Sequence, residues 1–229
     1  MSAITANLNR VRENIADAAA KAGRDPAEIT LVAVSKTKPR GLVEEVLAAG
    51  HNVFGENRVQ EAETKFVPPL PGAELHMVGH LQSNKAKSAA AFFDRIHSID
   101  SLKTARRLDG YLAECGRTMK ALVQVNLGHE PQKSGTNEQD TASLLRELAK
   151  LERIEVDGLM VLPPFFDDPE QTRPYFVTLR EMRERLSKMD LGGIELVHLS
   201  MGMTADYPVA IEEGATMIRV GTAIFGARG

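Results

Sequence analysis

The sequence predicts an α/β fold, a (β/α)8 TIM barrel with one extra N-terminal helix, spanning residues 1–229 as a single domain. Three observations carry that reading. Apolar, β-branched runs of strand length begin near residues 29, 51, 74, 95, 119, 156, 194 and 216. Each run but the last is followed by a segment that reads as a helix. A length of 229 residues suits eight such units. The rival, an open doubly wound sheet, lacks its glycine signature, because no Gly-x-Gly-x-x-Gly follows the first run.

Each element has its own local reason. Ile4, Leu8, Val11 and Ile15 recur at helical spacing, so residues 2–22 read as an amphipathic helix that Gly23 ends. Strand 1 is 29–34. Pro39 opens a helix to Ala49, and Gly50 closes it. Strand 2 is 51–54, after which Gly55-Glu56-Asn57 turns into a polar helix ending near Phe66. The prolines from Pro68 to Pro71 mark a loop before strand 3 at 74–78. A helix over 83–92 leads to strand 4 at 95–99. Asp100 and Ser101 can cap the next helix, which runs to Cys115, read as a packing thiol. Strand 5 is 119–125, and a polar loop, 128–135, follows. Thr136 and Gln139 have capping-box spacing ahead of Leu144, Leu145, Leu148 and Leu151. Strand 6 at 156–161 stops at Pro163-Pro164. Phe176, Leu179, Met182 and Leu186 mark a helix, and strand 7 is 194–199. A short helix from Tyr207 to Glu213 precedes strand 8 at 216–220, then Gly221-Thr222 and a tail.

Composition narrows the functions. Lys and Arg number 28 against 31 Asp and Glu, a net charge of −3, which does not favour non-specific nucleic-acid binding. One cysteine excludes an intrachain disulfide and any cysteine-rich metal site. His80 and His198 do not stand at metal-ligand spacing from each other, and no metal is expected. Nothing reads as a signal peptide or membrane span, so the expected location is the cytoplasm.

The chemistry-bearing residues gather at strand ends. Lys36 follows strand 1, Glu56 and Asn57 strand 2, His80 strand 3, Asn126 strand 5, Ser200 strand 7 and Gly221-Thr222 strand 8. In a barrel these share one mouth, where chemistry is done. A desolvated lysine there forms Schiff bases with carbonyls, although most lysines are simply solvated. The segments Leu199-Ser200-Met201-Gly202-Met203 and Val220-Gly221-Thr222 read as loops after strands 7 and 8, the usual phosphate position of this fold; each could also be a plain turn. Arg219 shares a strand face with Met217 and Gly221. Its partner is either a barrel glutamate or an acceptor nitrogen on a bound ring. A Schiff-base lysine, a phosphate cradle and a ring-directed arginine together suggest pyridoxal 5′-phosphate. Asn57 either reaches the ring hydroxyl or caps a helix. His76, His80 and His198 read as structural histidines, and His129, Glu130 and Lys133 as either a lid or solvated surface.

On those residues, the sequence resembles the pyridoxal phosphate homeostasis protein family (YggS/PROSC). AVSKTKP around Lys36, FGENRVQE from Phe54, HMVGHLQSNK from His76, HSIDS from His97, EPQKSG from Glu130, GLMVLPP from Gly158 and LSMGMTADYPVAIEEGATMIRVGTAIFGAR from Leu199 carry the likeness. Arg58 departs from it, standing where members often have an aromatic. The resemblance implies a fold-type III pyridoxal phosphate (PLP) barrel like the N-terminal domain of alanine racemase. Lys36 would carry the cofactor, Ser200, Gly221 and Thr222 (with Gly202 between) would take the phosphate, and Arg219 would meet the pyridine nitrogen; Asn57 and His80 are weaker candidates.

The family's implied role is to hold PLP and deliver it to PLP-dependent apo-enzymes, influencing vitamin B6 balance, rather than to turn over a substrate. The alternatives are an amino-acid racemase-like enzyme and a cofactor-free barrel in which Lys36 acts as in class I aldolases. Racemase chemistry needs acid/base groups on both cofactor faces. Among Tyr111, Tyr175 and Tyr207 only Tyr207 is expected near the mouth, and no further β domain is expected after strand 8. A monomer is expected.

Overall fold

In the computed structural model, which describes residues 2–128, 130 and 134–227, eight parallel strands close in sequence order. They are β1 (Thr30–Val34), β2 (Val53–Glu56), β3 (Glu74–Met77), β4 (Arg95–Ile99), β5 (Met119–Val125), β6 (Ile154–Val161), β7 (His198–Met203) and β8 (Met217–Val220). Around them lie α2 (Arg40–Ala48), α3 (Val59–Phe66), α4 (Ala86–Phe92), α5 (Leu102–Glu114), α6 (Glu138–Leu148), α7 (Arg173–Leu186), α8 (Tyr207–Glu212) and α9 (Thr222–Phe225). The one-turn α9 completes the eighth unit, where the sequence suggested only a tail.

Helix α1 (Ala3–Lys21) is the extra element. Ser2 caps it, its hydroxyl accepting from Thr5 N at 3.2 Å. Its buried stripe is Ile4, Leu8, Val11, Ile15, Ala18 and Ala19. Burying each large aliphatic there contributes about 1.5–3 kcal/mol. Polar contacts fix its docking: Asn7 donates to Ile224 O at 3.1 Å, and Asn14 to the Tyr207 hydroxyl at 3.0 Å.

Strand alternation separates two environments. Leu31, Ala33, Phe54 and Ile96 face the helices in the main core. Val32, Val34 and Val78 form one small apolar cluster inside the barrel, and Leu122, Met160 and Met217 another. Glycine at residue 55 leaves lumen space for side chains from the neighbouring β1 and the end of β3. A Cβ on Gly55 would stand 2.9 Å from Val32 Cγ1 and 3.3 Å from both Val34 and Val78.

Three local expectations are corrected. β7 runs from His198 to Met203, four residues later than its apolar run suggests. Residues 194–197 are β-branched enough to read as strand, but Val197 is 55% exposed there, and the ladder to β6 starts at Gly158↔His198. Segment Leu199 to Met203 is therefore strand, not loop. The capping box at Thr136 does not form; Asn137 is the N-cap of α6 without a side-chain capping bond, its amide donating to Asp140 Oδ2 instead, and Thr136 bridges Val125. Cys115 is exposed at the end of α5 rather than packed.

Candidate functional site

The loop after β1 is held from beneath by buried charge. Glu56 belongs to β2 and is 0% exposed, so it is not a mouth residue as expected. It alternates with lumen-facing Gly55 and so points toward the helix layer. Its Oε1 accepts from Ser35 Oγ at 2.6 Å and from Lys65 Nζ at 2.7 Å. Lys65 also donates to Ser35 O at 2.5 Å and reaches Glu61 Oε1 at 2.7 Å. Glu61 in turn accepts from Thr37 N. Residues 35 and 37 are thus both tied down, and half-buried Lys36 lies between them. Thr37 has φ 63°, the one positive value at a non-glycine among the described residues. A β-branched residue there costs on the order of 1–3 kcal/mol, which the surrounding bonds must hold. Burial pushes the Glu56 carboxyl upward in pKa, while bonds from Lys65 and Ser35 pull it down.

Below the rim, Arg219 crosses the lumen. It pairs in register with Val32 on β1, and the next lumen-facing residue above it is Gly221. The guanidinium is 4% exposed. Nη1 donates to Ser200 Oγ at 2.5 Å and Nη2 to Val161 O at 2.9 Å, rather than to a barrel glutamate. Five N–H groups with two such bonds leave donors to spare. Burial lowers its pKa to about 10, with Asp206 opposing, so it stays charged at neutral pH.

From Ser200 a polar line runs down the barrel. Ser200 Oγ is 2.8 Å from His97 Nδ1, His97 Nε2 is 3.0 Å from His76 Nδ1, and His76 Nε2 is 2.8 Å from Glu74 Oε1. Ser200, His97 and His76 are all 1% exposed or less, whereas the Glu74 side chain is 48% exposed. Burial holds the His97 imidazole well below its ordinary pKa. At the same end Arg95 donates to Asp157 at 2.6 Å.

The remaining expected residues lie at the rim or beside it. Gly202 has φ 91° and sits against α8. Gly221 and exposed Thr222 open α9, and Gly221 N donates to Thr204 Oγ1 at 3.3 Å, which ties the β7 and β8 loops together. Half-buried Asn57 caps nothing; Arg58 is the N-cap of α3. His80 pairs with Asp100 at 3.2 Å with its side chain 45% exposed. Asn126 donates to Glu130 O at 3.0 Å, while His129 and Lys133 lie outside the described residues. Tyr207 is 3% exposed with its hydroxyl turned to Asn14 of α1, so it is not a mouth residue. Sequence reasoning missed Thr204, the role of His97, and the Lys65 strap. The nine-residue spacing of Lys65 from Glu56 in adjacent elements was the available signal for the last.

This donor set fits pyridoxal 5′-phosphate. One amine stands at the rim, a cationic donor with spare N–H groups lies beneath, and glycine keeps backbone exposed between them. A Cβ on Gly221 would come 3.1 Å from Val34 O, so a side chain there would narrow the mouth.

Comparison with known proteins gives the same picture. The alanine racemase N-terminal domain family model matches residues 6–229. A pyridoxal phosphate homeostasis protein of Pseudomonas aeruginosa is 41% identical over 230 residues, covering 100% of this chain and 97% of that one. One from Aquifex aeolicus is 39% identical over 223 residues, 96% of each. PipY of Synechococcus elongatus, solved with PLP bound, superposes with a TM-score of 0.85 at 38% identity, covering 97% of this chain and 100% of PipY. Alanine racemase of Clostridium difficile shares the fold, with a TM-score of 0.72 at 18% identity over 98% of this chain and 55% of the racemase.

Proposed function

This chain belongs to the pyridoxal phosphate homeostasis protein family, within the alanine racemase N-terminal domain family, and from that premise we propose how its barrel holds PLP. The protein binds pyridoxal 5′-phosphate and takes part in balancing that cofactor in the cell. The observation that supports the reading most is the β1–β8 register. It sets Arg219 beside Val32, beneath the rim where Lys36 stands two residues past Val34.

Each residue then has a part. Lys36 holds the cofactor covalently through its aldehyde. Ser35, Glu56, Lys65 and Glu61 keep that lysine's loop in one conformation. Arg219 donates to the ring nitrogen and, being always charged, leaves it without a proton. Gly202, Gly221 and Thr222 offer backbone N–H groups and a hydroxyl to the phosphate, with Thr204 bridging the two loops. Ser200 supports Arg219 from below, and Asn57 and His80 flank the mouth. When bound, PLP supplies an electrophile for amines, but with an unprotonated ring it is a weak electron sink.

That arrangement suits a carrier, which hands PLP to PLP-dependent apo-enzymes. The protein acts as a monomer, a single barrel domain over 1–229, in the cytoplasm; among the described residues no helix is long and apolar enough to cross a membrane. A racemase reading needs a second acid/base group across the ring, and the Tyr207 hydroxyl is turned to Asn14 instead. The test is to incubate loaded protein with a PLP-dependent apo-enzyme, and separately with D- and L-amino acids in deuterated water. The expected result is recovery of apo-enzyme activity without sustained exchange at the α-carbon. Sustained exchange overturns the carrier reading.

A further inference from the structure

The line Glu74, His76, His97, Ser200 and Arg219 has a direction that its two ends fix independently. Arginine has only donors, so Ser200 Oγ accepts from Arg219. Ser200 is 0% exposed and His97 Nδ1 is its other partner, so the serine proton goes to that nitrogen. His97, accepting at Nδ1, carries its proton on Nε2 and donates to His76 Nδ1. From the far end, the Glu74 carboxylate accepts, which places the His76 proton on Nε2 and leaves Nδ1 to accept. Both ends thus give the same four bonds, each with one hydrogen and both imidazoles neutral. A further proton on one of the rings would either set two hydrogens facing each other between the rings or turn the Ser200 hydroxyl away from its acceptor.

We infer that His97, with His76 behind it, is a positioning residue for Arg219: the two neutral rings hold Ser200 as an acceptor, which anchors one end of the guanidinium and leaves its other donors for the ring. The inference rests on the PLP reading for what those donors meet, but the chain stands on geometry alone. The surrounding charges agree with it. Burial opposes a proton on His97 most, the charges of Arg219 on β8 and Arg95 on β4 oppose it too, and a proton on His76 of β3 or His198 of β7 would add to that opposition. Glu74, pulled down chiefly by its His76 bond and also by Arg95 and Lys120, remains the acceptor. Asp157 is engaged by Arg95 and acts on His198.

Two measurements separate this inference from the PLP reading. The first uses protein without cofactor: 15N NMR of the histidines. His97 is expected as the neutral Nε2–H tautomer from about pH 6 to 8, around the ordinary imidazole pKa. A charged His97, or one protonated at Nδ1, overturns the chain whether or not PLP binds.

The second uses loaded protein and compares His97→Leu with His97→Gln. A glutamine amide can accept from the serine and donate to His76, whereas leucine can do neither. His97→Leu is expected to lose PLP about tenfold faster, as for a weakened charge-assisted bond, and to shift the pyridine 15N signal; His97→Gln restores both. If His97→Leu does not fold, Ser200→Ala removes the same acceptor and is expected to give the same shift. Wild-type retention and an unshifted ring signal in the folded variant overturn the positioning role.

Discussion

Lys65 Nζ stands 2.7 Å from Glu56 Oε1 with the two side chains 7% and 0% exposed, directly under the loop that carries Lys36. Removing one partner of such a pair leaves a buried charge without compensation, which costs about 3–5 kcal/mol. Lys65→Met is therefore expected to lose that much stability near neutral pH. Burial already raises the Glu56 pKa, and without Lys65 it rises further. A carboxyl with a raised folded-state pKa contributes stability below its unfolded value and loses it as pH rises through the folded value. The deficit of Lys65→Met should thus be least in acid and grow toward neutrality. Denaturant titrations across pH check this, and a deficit independent of pH would contradict it.

Glu74 has the opposite sign. Its bond from His76 holds the carboxyl below the ordinary range. A depressed folded-state pKa gives stability that is present above the unfolded value and lost as pH falls through the folded one. Glu74→Gln should flatten the acid limb of the stability profile. Because the side chain is half exposed, screening keeps the effect under about 1 kcal/mol. Thermal unfolding between acid and neutral pH measures it; an unchanged acid limb would count against the bond.

Gly202 and Gly110 form a matched pair. At Gly202, φ is 91° and an added Cβ would lie 2.6 Å from Ala210 Cβ and 2.9 Å from Tyr207 Cα. Gly202→Ala is expected to cost about 2 kcal/mol or more through strain and overpacking. Gly110, inside α5, has open space around its Cα. Gly110→Ala should stabilise by about 0.5–1 kcal/mol. Urea midpoints of the two variants should move in opposite directions.

Retention of PLP should rank the two cations of the site. Lys36→Ala removes the covalent hold and is expected to lose the cofactor on dialysis. Arg219→Ala removes a donor, a weaker effect, and is expected to retain an intermediate amount. Equal cofactor content in the two dialysed variants would reverse that account.

The barrel was legible because each strand is a local apolar run and each helix has its own period. Lys36 and Arg219 were legible for the same reason, one just past a strand and one alternating with Ile218 and Val220. The apolar run misplaces β7 because Ile194 to Val197 has strand propensity but lies ahead of the paired β6–β7 register, while the true strand contains Gly202, which propensity disfavours. That slip turned Ser200 from a buried strand residue into a loop hydroxyl. The line from Glu74 to Arg219 left no trace in spacing. It joins β3, β4, β7 and β8, and those residues meet only when the barrel closes. The strap on the Lys36 loop was half visible, since Glu56 and Lys65 lie in adjacent elements. Their burial is a tertiary fact.

The most direct measurement is borohydride reduction of the PLP-loaded protein, followed by peptide mapping by mass spectrometry. The account requires a yellow protein that bleaches on reduction, with the reduced adduct on Lys36 and none in Lys36→Ala. A protein that stays colourless with added PLP, or an adduct on another lysine with Lys36 unmodified, would contradict it.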